Sequence, residues 1–274
     1  MNIFAEEISA KGLIALMTDF GLDDVFVGVM KGVIAGINPQ AQVIDISHGL
    51  PSFDVMEAAV RLKWAYPWFP EGTIITTVID PGVGSERGII AASAHGRLFV
   101  APDNGLLRPT IDDDPQARIF RVKSQEFFLP HVSGTFHGRD IFAPVAAHLS
   151  RGVGIEKVGP DIGIDDIVKL TIPEPTQNPD GSVEGEVIIG DKFGNLISNI
   201  PRSMIESIGA FGELEISIGE LKIEGISRAY SDAPPGAPAA VISSMDTLEI
   251  ACNMGSARDM TGADKGDRVV VKRR

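Results

Sequence analysis

The stretch TFHGRDIFAP, Thr135 to Pro144, sets His137, Arg139 and Asp140 within four positions and then reverts to apolar sequence. A histidine exchanges a proton near neutral pH, so this cluster is a candidate for acid–base work. The plainer alternative is a capped, solvated helix start. Further chemistry-bearing residues stand where β-strands should end. LIALM runs into Thr18-Asp19-Phe20-Gly21, TIITTVI into Asp80-Pro81-Gly82-Val83-Gly84, and RLFVAP into Asp103-Asn104-Gly105. Asp-Pro-Gly and Asp-Asn-Gly are ordinary turn formers. In an open α/β sheet, however, ligands bind beyond the carboxyl ends of the strands, so these three carboxylates mark one candidate edge.

Other chemistries are poorly supported. PGVGSERG has glycines but neither the Lys-Ser/Thr ending of a phosphate loop nor the spacing of a dinucleotide fingerprint. The aspartates could ligate a metal, but no histidines stand at metal-ligand spacing, and neither a metal nor a cofactor is expected. His48, His95, His131 and His148 each stand alone and read as surface or loop histidines. Trp64, Tyr66, Trp68 and Phe69 read as packing for a helix end against the sheet.

The elements that must position these residues alternate between strand and helix through the first half of the chain. Strands are expected at LIALM, QVIDI, TIITTVI, GIIAAS, RLFVAP and ARIFRV. Helices are expected at 25–37, stopped by Asn38-Pro39, at 54–66, and from about Arg139 to Arg151. TIITTVI is almost wholly apolar and β-branched, as a strand buried on both faces should be. The pattern predicts an α/β domain with a mainly parallel sheet over 1–170. TIPEPTQNPDGS then reads as a linker over 171–182. Short strands follow (VEGEVII, NLISNI, ELEISI, LKIEGI, AAVISS, LEIACN, RVVVK) with one helix, RSMIESIG, which predicts a smaller antiparallel β domain, sandwich or barrel, over 183–274.

The chain has 274 residues, 44% of them hydrophobic, enough for two modest domains. Its net charge of -13 argues against electrostatic binding to nucleic acid or an anionic membrane. A single cysteine, Cys252, excludes an internal disulfide and suits a reducing compartment. The N-terminus carries Glu6 and Glu7 where a signal peptide wants positive charge, and its apolar run is too short for a membrane span. A cytoplasmic protein is expected.

TDFG, DPGVG with Arg87 seven residues after its aspartate, DNGLL, TFHGRDIFAP and GDKFGNLISNI occur in this order between Thr18 and about Met254. Together they resemble the S-adenosylmethionine hydroxide adenosyltransferases, relatives of fluorinase and chlorinase. The resemblance implies an N-terminal α/β domain, a C-terminal β-barrel and a homotrimer. Substrate would bind between one subunit's N-domain and its neighbour's C-domain. The implied reaction is S-adenosylmethionine plus water giving adenosine and methionine.

That reaction displaces a neutral thioether, which needs no acid, by a water that must lose a proton. Similarity assigns the work to Asp80, Arg87 and His137. Asp80 and His137 supply the base and its orientation, with the proton acceptor left open between them, and Arg87 stabilises developing hydroxide. The resemblance also implies binding residues. Asp19 would hold the ribose diol, and Phe53 would lie near the methionine portion. Asp191 and Ser244 would hold the amino and carboxylate groups. Phe193 and Asn195 would face adenine, with Asn253 and Met254 approaching it through backbone groups. Met245 stands where relatives can have an arginine, which weakens the assignment for the carboxylate.

Two rival readings remain at this level. Fluorinase-like relatives carry an extra loop after the Arg87 region, a tyrosine at the Asp80 position and a serine at the Gly138 position. Here fifteen residues separate Arg87 from Asp103, and a carboxylate at position 80 would repel halide. The other rival is a non-catalytic adenosine or S-adenosylmethionine sensor, which has no use for a water-activating trio.

Overall fold

The apolar run Leu13–Thr18 forms the first strand, β1, of the computed structural model, which describes residues 12–274. The acidic N-terminal stretch with Glu6 and Glu7 lies outside the described residues. After β1 come α1 (Phe26–Ile37), β2 (Gln42–Ser47), α2 (Val55–Ala65), β3 (Ile74–Val78), β4 (Ile89–Ala94), β5 (Arg97–Pro102), α3 (Arg108–Ile111), β6 (Arg118–Arg121), α4 (Ala143–Ser150) and β7 (Asp161–Ile162). They belong to a compact unit that ends at Thr171.

Alternation along the strands builds two cores. Ile14, Leu16, Ile74 and Val78 face α1 and α4, meeting Met30, Ile34, Val145 and Leu149. Ala15, Met17, Ile75 and Ile79 face the opposite side and meet Ala58 and Leu62 of α2. The central strands β1 and β3 are therefore covered on both faces, which explains their continuous apolar sequence.

The sheet order is β2-β1-β3-β5-β4-β6-β7. The β1–β2, β1–β3 and β3–β5 pairings are parallel, whereas β4 joins β5 antiparallel and β6 and β7 continue so. The sheet is thus mixed. Its antiparallel half follows from the short link between β4 and β5, since two residues, His95 and Gly96, can close only a hairpin. Both turn residues have positive φ, 51° and 73°, which matches the twist of the strands they join.

The helix expected from Arg139 begins differently. Gly138–Phe142 forms a π-turn, closed by the Ala143 N–H on the Gly138 carbonyl, and α4 proper starts at Ala143. Pro144 has no N–H to give the Asp140 carbonyl. That carbonyl accepts from the Leu129 N–H at 2.9 Å instead, fastening the preceding loop to the helix start.

A second unit runs from Ile172 to Arg274. The proline-rich segment contributes a two-residue strand, β8 (Thr176–Gln177), paired with β9 (Val183–Gly190). Then come β10 (Leu196–Pro201), α5 (Arg202–Ile208), β11 (Leu214–Ile218), β12 (Leu221–Glu224), β13 (Pro238–Ile242), β14 (Thr247–Cys252), α6 (Ala257–Thr261) and β15 (Arg268–Arg273). All pairings between these strands are antiparallel, in the order β12-β11-β15-β9-β10-β14-β13. Just past β12, Ser227 bridges Val241 of β13, so the two ends of the sheet nearly meet in a barrel. Val187, Leu196, Ile216, Leu248, Ile250 and Val269 fill its interior. Cys252 is buried and free.

Two loops of the first unit meet at glycines. Gly84 has φ +77°, and a Cβ built on it would lie 2.2 Å from the Gly134 carbonyl oxygen. Gly84→Ala is expected to destabilise the protein by about 1–3 kcal/mol, through strained φ and that collision. Gly134→Ala, whose Cβ meets nothing within 4 Å, should change stability by less than about 0.5 kcal/mol. Urea denaturation of the two variants checks the contrast.

Candidate active site

Asp80 lies just beyond β3, and the chain then doubles back sharply. The Val83 N–H donates to the Asp80 carbonyl and the Ser85 N–H to the Gly82 carbonyl, while the Ser85 hydroxyl also donates to Gly82 and accepts from the Arg87 N–H. These successive turns return Arg87 to face Asp80. Its Nε lies 2.9 and 3.0 Å from the two carboxylate oxygens, and its Nη2 lies 2.5 Å from Oδ2. The same Nη2 is 2.8 Å from His137 Nδ1. The pair is 6% and 11% exposed, and the guanidinium sits over the Phe142 ring at 5.6 Å.

A guanidinium has donors only, so the Nδ1 of a neutral His137 must be the acceptor and its proton must sit on Nε2. The imidazole also hydrogen-bonds the Ser133 backbone, a contact that favours the protonated ring and is therefore made to the carbonyl. Burial lowers the pKa of His137 below the ordinary histidine value, and the Arg87 charge lowers it further; Asp80 and Asp140 oppose them without reversing the shift. His137 is thus a neutral ring at neutral pH.

Asp80 and His137 line a cleft of about 210 Å³ together with Asp19, Phe20, Ser52, Phe53, Val78, Val83, Thr135, Phe136 and Gly138. Arg87, not itself a lining residue, cross-links the two. Asp19 follows β1, and its Oδ2 accepts the Phe53 N–H at 2.8 Å. Phe53 has φ 66°, and the residue is 68% exposed. Positive φ in an aromatic residue is uncommon, and this one is held by the carboxylate beside it. Phe20, Phe26 and Phe136 pack edge to face with centroids 5.1–6.0 Å apart, building an apolar wall.

The structure therefore brings Asp19, Phe53, Asp80 and His137 to one cleft, with Arg87 behind it. Asp103, the third strand-end carboxylate, goes elsewhere. It is buried, lies 2.5 Å from Arg121 Nη1 and accepts the Val168 N–H. Of the two readings for His48, surface or satisfied loop residue, the structure shows the second, buried just after β2. Its Nδ1 lies 2.8 Å from Thr18 Oγ1, its Nε2 lies 3.0 Å from Asp45, and its carbonyl accepts the Gly21 N–H. It thus fastens the turn that carries Asp19. The lining role of Phe20 and Phe136 was missed, although each adjoins a residue singled out in the sequence.

The remaining expected binding residues all lie in the second unit. Asp191 organises the β9–β10 turn, its Oδ1 accepting the Phe193 and Asn195 N–H groups and its Oδ2 accepting Asn195 Nδ2 at 3.0 Å. Phe193 is exposed, with Lys192 Nζ 4.9 Å from its ring centroid. Asn253 was expected to offer its backbone. Within its own loop the Asn253 N–H donates to Ala237, its carbonyl accepts from Gly236 and its side chain donates to Ala233. The neighbouring Met254 is exposed, with φ 58°. Ser244 sits on the exposed β13–β14 turn. One pair was missed: the Tyr230 hydroxyl donates to buried Glu249 at 2.6 Å, and burial pushes both pKa values up. The available signal was a carboxylate inside the apolar strand LEIACN.

Among the described residues no cluster of His, Cys, Asp and Glu could hold a metal ion, and no helix is long and apolar enough to cross a membrane. His137 is expected to titrate below pH 6.5, the ordinary histidine value, because burial and Arg87 both disfavour its charge. Arg87→Gln should raise that midpoint by removing the neighbouring cation. Histidine ring carbon shifts followed by NMR across pH measure both; a wild-type midpoint above 6.5 would contradict the assignment.

Comparison with known proteins agrees with the motifs. Residues 14–159 match the SAM hydroxide adenosyltransferase N-terminal domain, and residues 185–270 match the C-terminal domain of the same family. The chain is 37% identical over 257 residues to a Thermus thermophilus protein named (R)-S-adenosyl-L-methionine hydrolase, covering 91% of this chain and 95% of that one. A Salinispora tropica protein of the same name is 35% identical over 94% of this chain and 97% of its own. A Nocardia brasiliensis fluorinase is 31% identical over 95% and 96%. An uncharacterized conserved protein from Thermotoga maritima superposes with a TM-score of 0.88 at 36% identity, covering 95% of this chain and all of that one. On the matched domains, their order and this coverage, the chain belongs to the SAM hydroxide adenosyltransferase family.

Proposed function

We propose that the protein hydrolyses S-adenosyl-L-methionine to adenosine and L-methionine. The observation that carries this reading is the Asp80–Arg87–His137 cluster on the wall of a cleft that also holds Asp19. The names of the Thermus and Salinispora relatives support it. Water attacks the ribose 5′-carbon, forming a carbon–oxygen bond as the carbon–sulfur bond breaks. The bonding pair returns to sulfur, which leaves as a neutral thioether. The oxygen is at that moment a protonated alcohol, a strong acid, so an ordinary carboxylate suffices to take its proton. The lone pair of the neutral His137 ring faces Arg87. The proton therefore goes to Asp80, while His137 and Arg87 hold that carboxylate in line with the reacting carbon.

Asp19 takes the ribose hydroxyls. Its Oδ2 already accepts the Phe53 N–H, so one hydroxyl falls to Oδ1 and the other to the remaining lone pair. Phe53 covers the methionine side. Asp191, Ser244, Phe193 and Asn195 of a neighbouring copy complete the site, with Asn253 and Met254 approaching adenine through backbone groups. The division of binding residues between the two units is the basis for a homotrimer. Leu22, Val25, Phe26 and Val29, exposed apolar residues at and just before the start of α1, give a surface that a second copy would cover. A cytoplasmic location fits the single, unbridged cysteine.

Incubation with S-adenosylmethionine and analysis of products tests the reaction. Adenosine and methionine are expected; a 5′-halo-adenosine formed with added halide, or unchanged ligand, would replace this reading. Asp80→Ala, Arg87→Ala and His137→Ala should each lower single-turnover hydrolysis by about a hundredfold or more. Double variants should fall little further, because groups acting on one step are non-additive. Full activity in His137→Ala would remove that residue from the mechanism. Sedimentation equilibrium should give three times the chain mass, and a monomer that still turns over would remove the shared site.

A further inference from the structure

Asp140 has no exposed surface at all, yet its carboxylate is not among the groups lining the cleft. Its Oδ2 accepts the Ser133 N–H at 2.8 Å and the Ser133 hydroxyl at 2.7 Å, while Arg139 donates through Nε to Oδ1 and through Nη2 to Oδ2. The Ser133 oxygen in turn accepts the Phe136 N–H. These bonds close the segment between Ser133 and Asp140 into a ring, and His137 lies inside that ring. The imidazole is aimed by two partners, Arg87 Nη2 and the Ser133 carbonyl. One partner comes from the loop after β3; the other is the residue that Asp140 holds.

We propose that Asp140 is a positioning residue for His137, fixing through Ser133 the carbonyl that orients the imidazole. The proposal rests on the reading of His137 as part of the reacting cluster. A capping role alone does not call for a carboxylate. An asparagine would bind the turn without the desolvation cost of burying a charge. An asparagine oxygen in the Oδ2 place would leave its NH2 against the Arg139 Nε donor, a clash that would push the side chain off its Ser133 partners. The carboxylate satisfies all of them, and the Asp140 carbonyl, freed by Pro144, secures Leu129 on the other side of the loop. Arg139 then lies over the Phe136 ring at 5.3 Å, so the same carboxylate also steadies an apolar wall of the cleft.

The charged groups facing His137 are Arg87 and Asp80 from the loop after β3 and Asp140 from its own turn. Helix α1, packed on the same turn, presents Met30 beside Gly138. Asp140 and the Ser133 contact both favour the protonated ring. Disturbing them should therefore lower the His137 titration midpoint further, the opposite of the shift expected on removing Arg87.

Asp140→Asn and Ser133→Ala test the proposal, with folding followed by circular dichroism. Asp140→Asn should lower kcat per folded molecule by about tenfold to a hundredfold, with KM changed by less than about twofold, since misplacement acts on the reacting geometry. Its His137 midpoint should move down. Ser133→Ala keeps the carbonyl and N–H but loses the hydroxyl, and should show the same pattern with a smaller fall. Unchanged kcat and an unmoved His137 titration in a folded variant would overturn the proposal. If Asp140→Asn does not fold, Ser133→Ala decides alone by the same two readouts. If the wild type releases no adenosine, the functional reading fails, and the His137 titration in the variants still decides whether Asp140 positions the ring.

Discussion

The Arg87 guanidinium is the joint on which the cleft depends. It is a permanent cation with donors in a fixed plane, and it uses them on Asp80 and His137 together. One residue thereby locks a strand-end loop to the loop that precedes α4. It also dictates the tautomer of the histidine, because a group that can only donate forces Nδ1 to accept. The neighbouring contact of Gly84 with the Gly134 carbonyl brings the two loops close enough for that bridge to form. Fold and chemistry meet at this point: the approach of two backbones sets the distance, and a planar cation sets the angle.

The three members of the cluster do not carry equal structural weight. Asp80 and Arg87 form a largely buried ion pair. Removing one partner from such a pair leaves the other charge stranded, at a cost of about 3–5 kcal/mol. That is a large share of the 5–15 kcal/mol by which proteins of ordinary stability exceed unfolding. His137 is neutral and only partly buried. Its removal strands no charge, since Arg87 keeps its carboxylate. Loss of activity at position 137 therefore reports on chemistry, whereas losses at 80 and 87 mix chemistry with stability.

Much of this was legible in the sequence because it followed from period and punctuation. The apolar runs of β1 and β3 could only be covered strands, Asn38-Pro39 could only stop a helix, and two residues between β4 and β5 could only make a hairpin. What escaped needed partners distant in the chain. Asp103 reads like Asp19 and Asp80 until Arg121 is placed beside it. His48 reads as solitary until β1 and β2 pair and bring Thr18 to it. The π-turn depends on where the Asp140 carbonyl goes once Pro144 cannot serve it, and its acceptor bond comes from Leu129. The motifs pointed to the cleft residues; they could not say that Asp19 already holds Phe53 or that Asn253 uses its backbone on its own loop.

The identity of residue 80 bears most directly on which nucleophile the proposed site admits. Two like charges about 4 Å apart repel by about 1 kcal/mol in water and about 4 kcal/mol at the effective dielectric of a protein surface. A halide approaching Asp80 would meet that repulsion, and Arg87 offsets it only in part, because its Nε and Nη2 donors are already engaged by the carboxylate and His137. Water meets no such penalty. It donates a proton to the carboxylate and keeps a lone pair for carbon, so the group that repels an anion is the one that orients a neutral nucleophile. A sulfonium substrate adds to the discrimination, since a carboxylate pair on the cleft wall, Asp19 and Asp80, favours a cation. Under the proposed reading, the two carboxylates that favour a cationic substrate also disfavour a competing anion, so a charge at position 80 acts in the direction of hydrolysis.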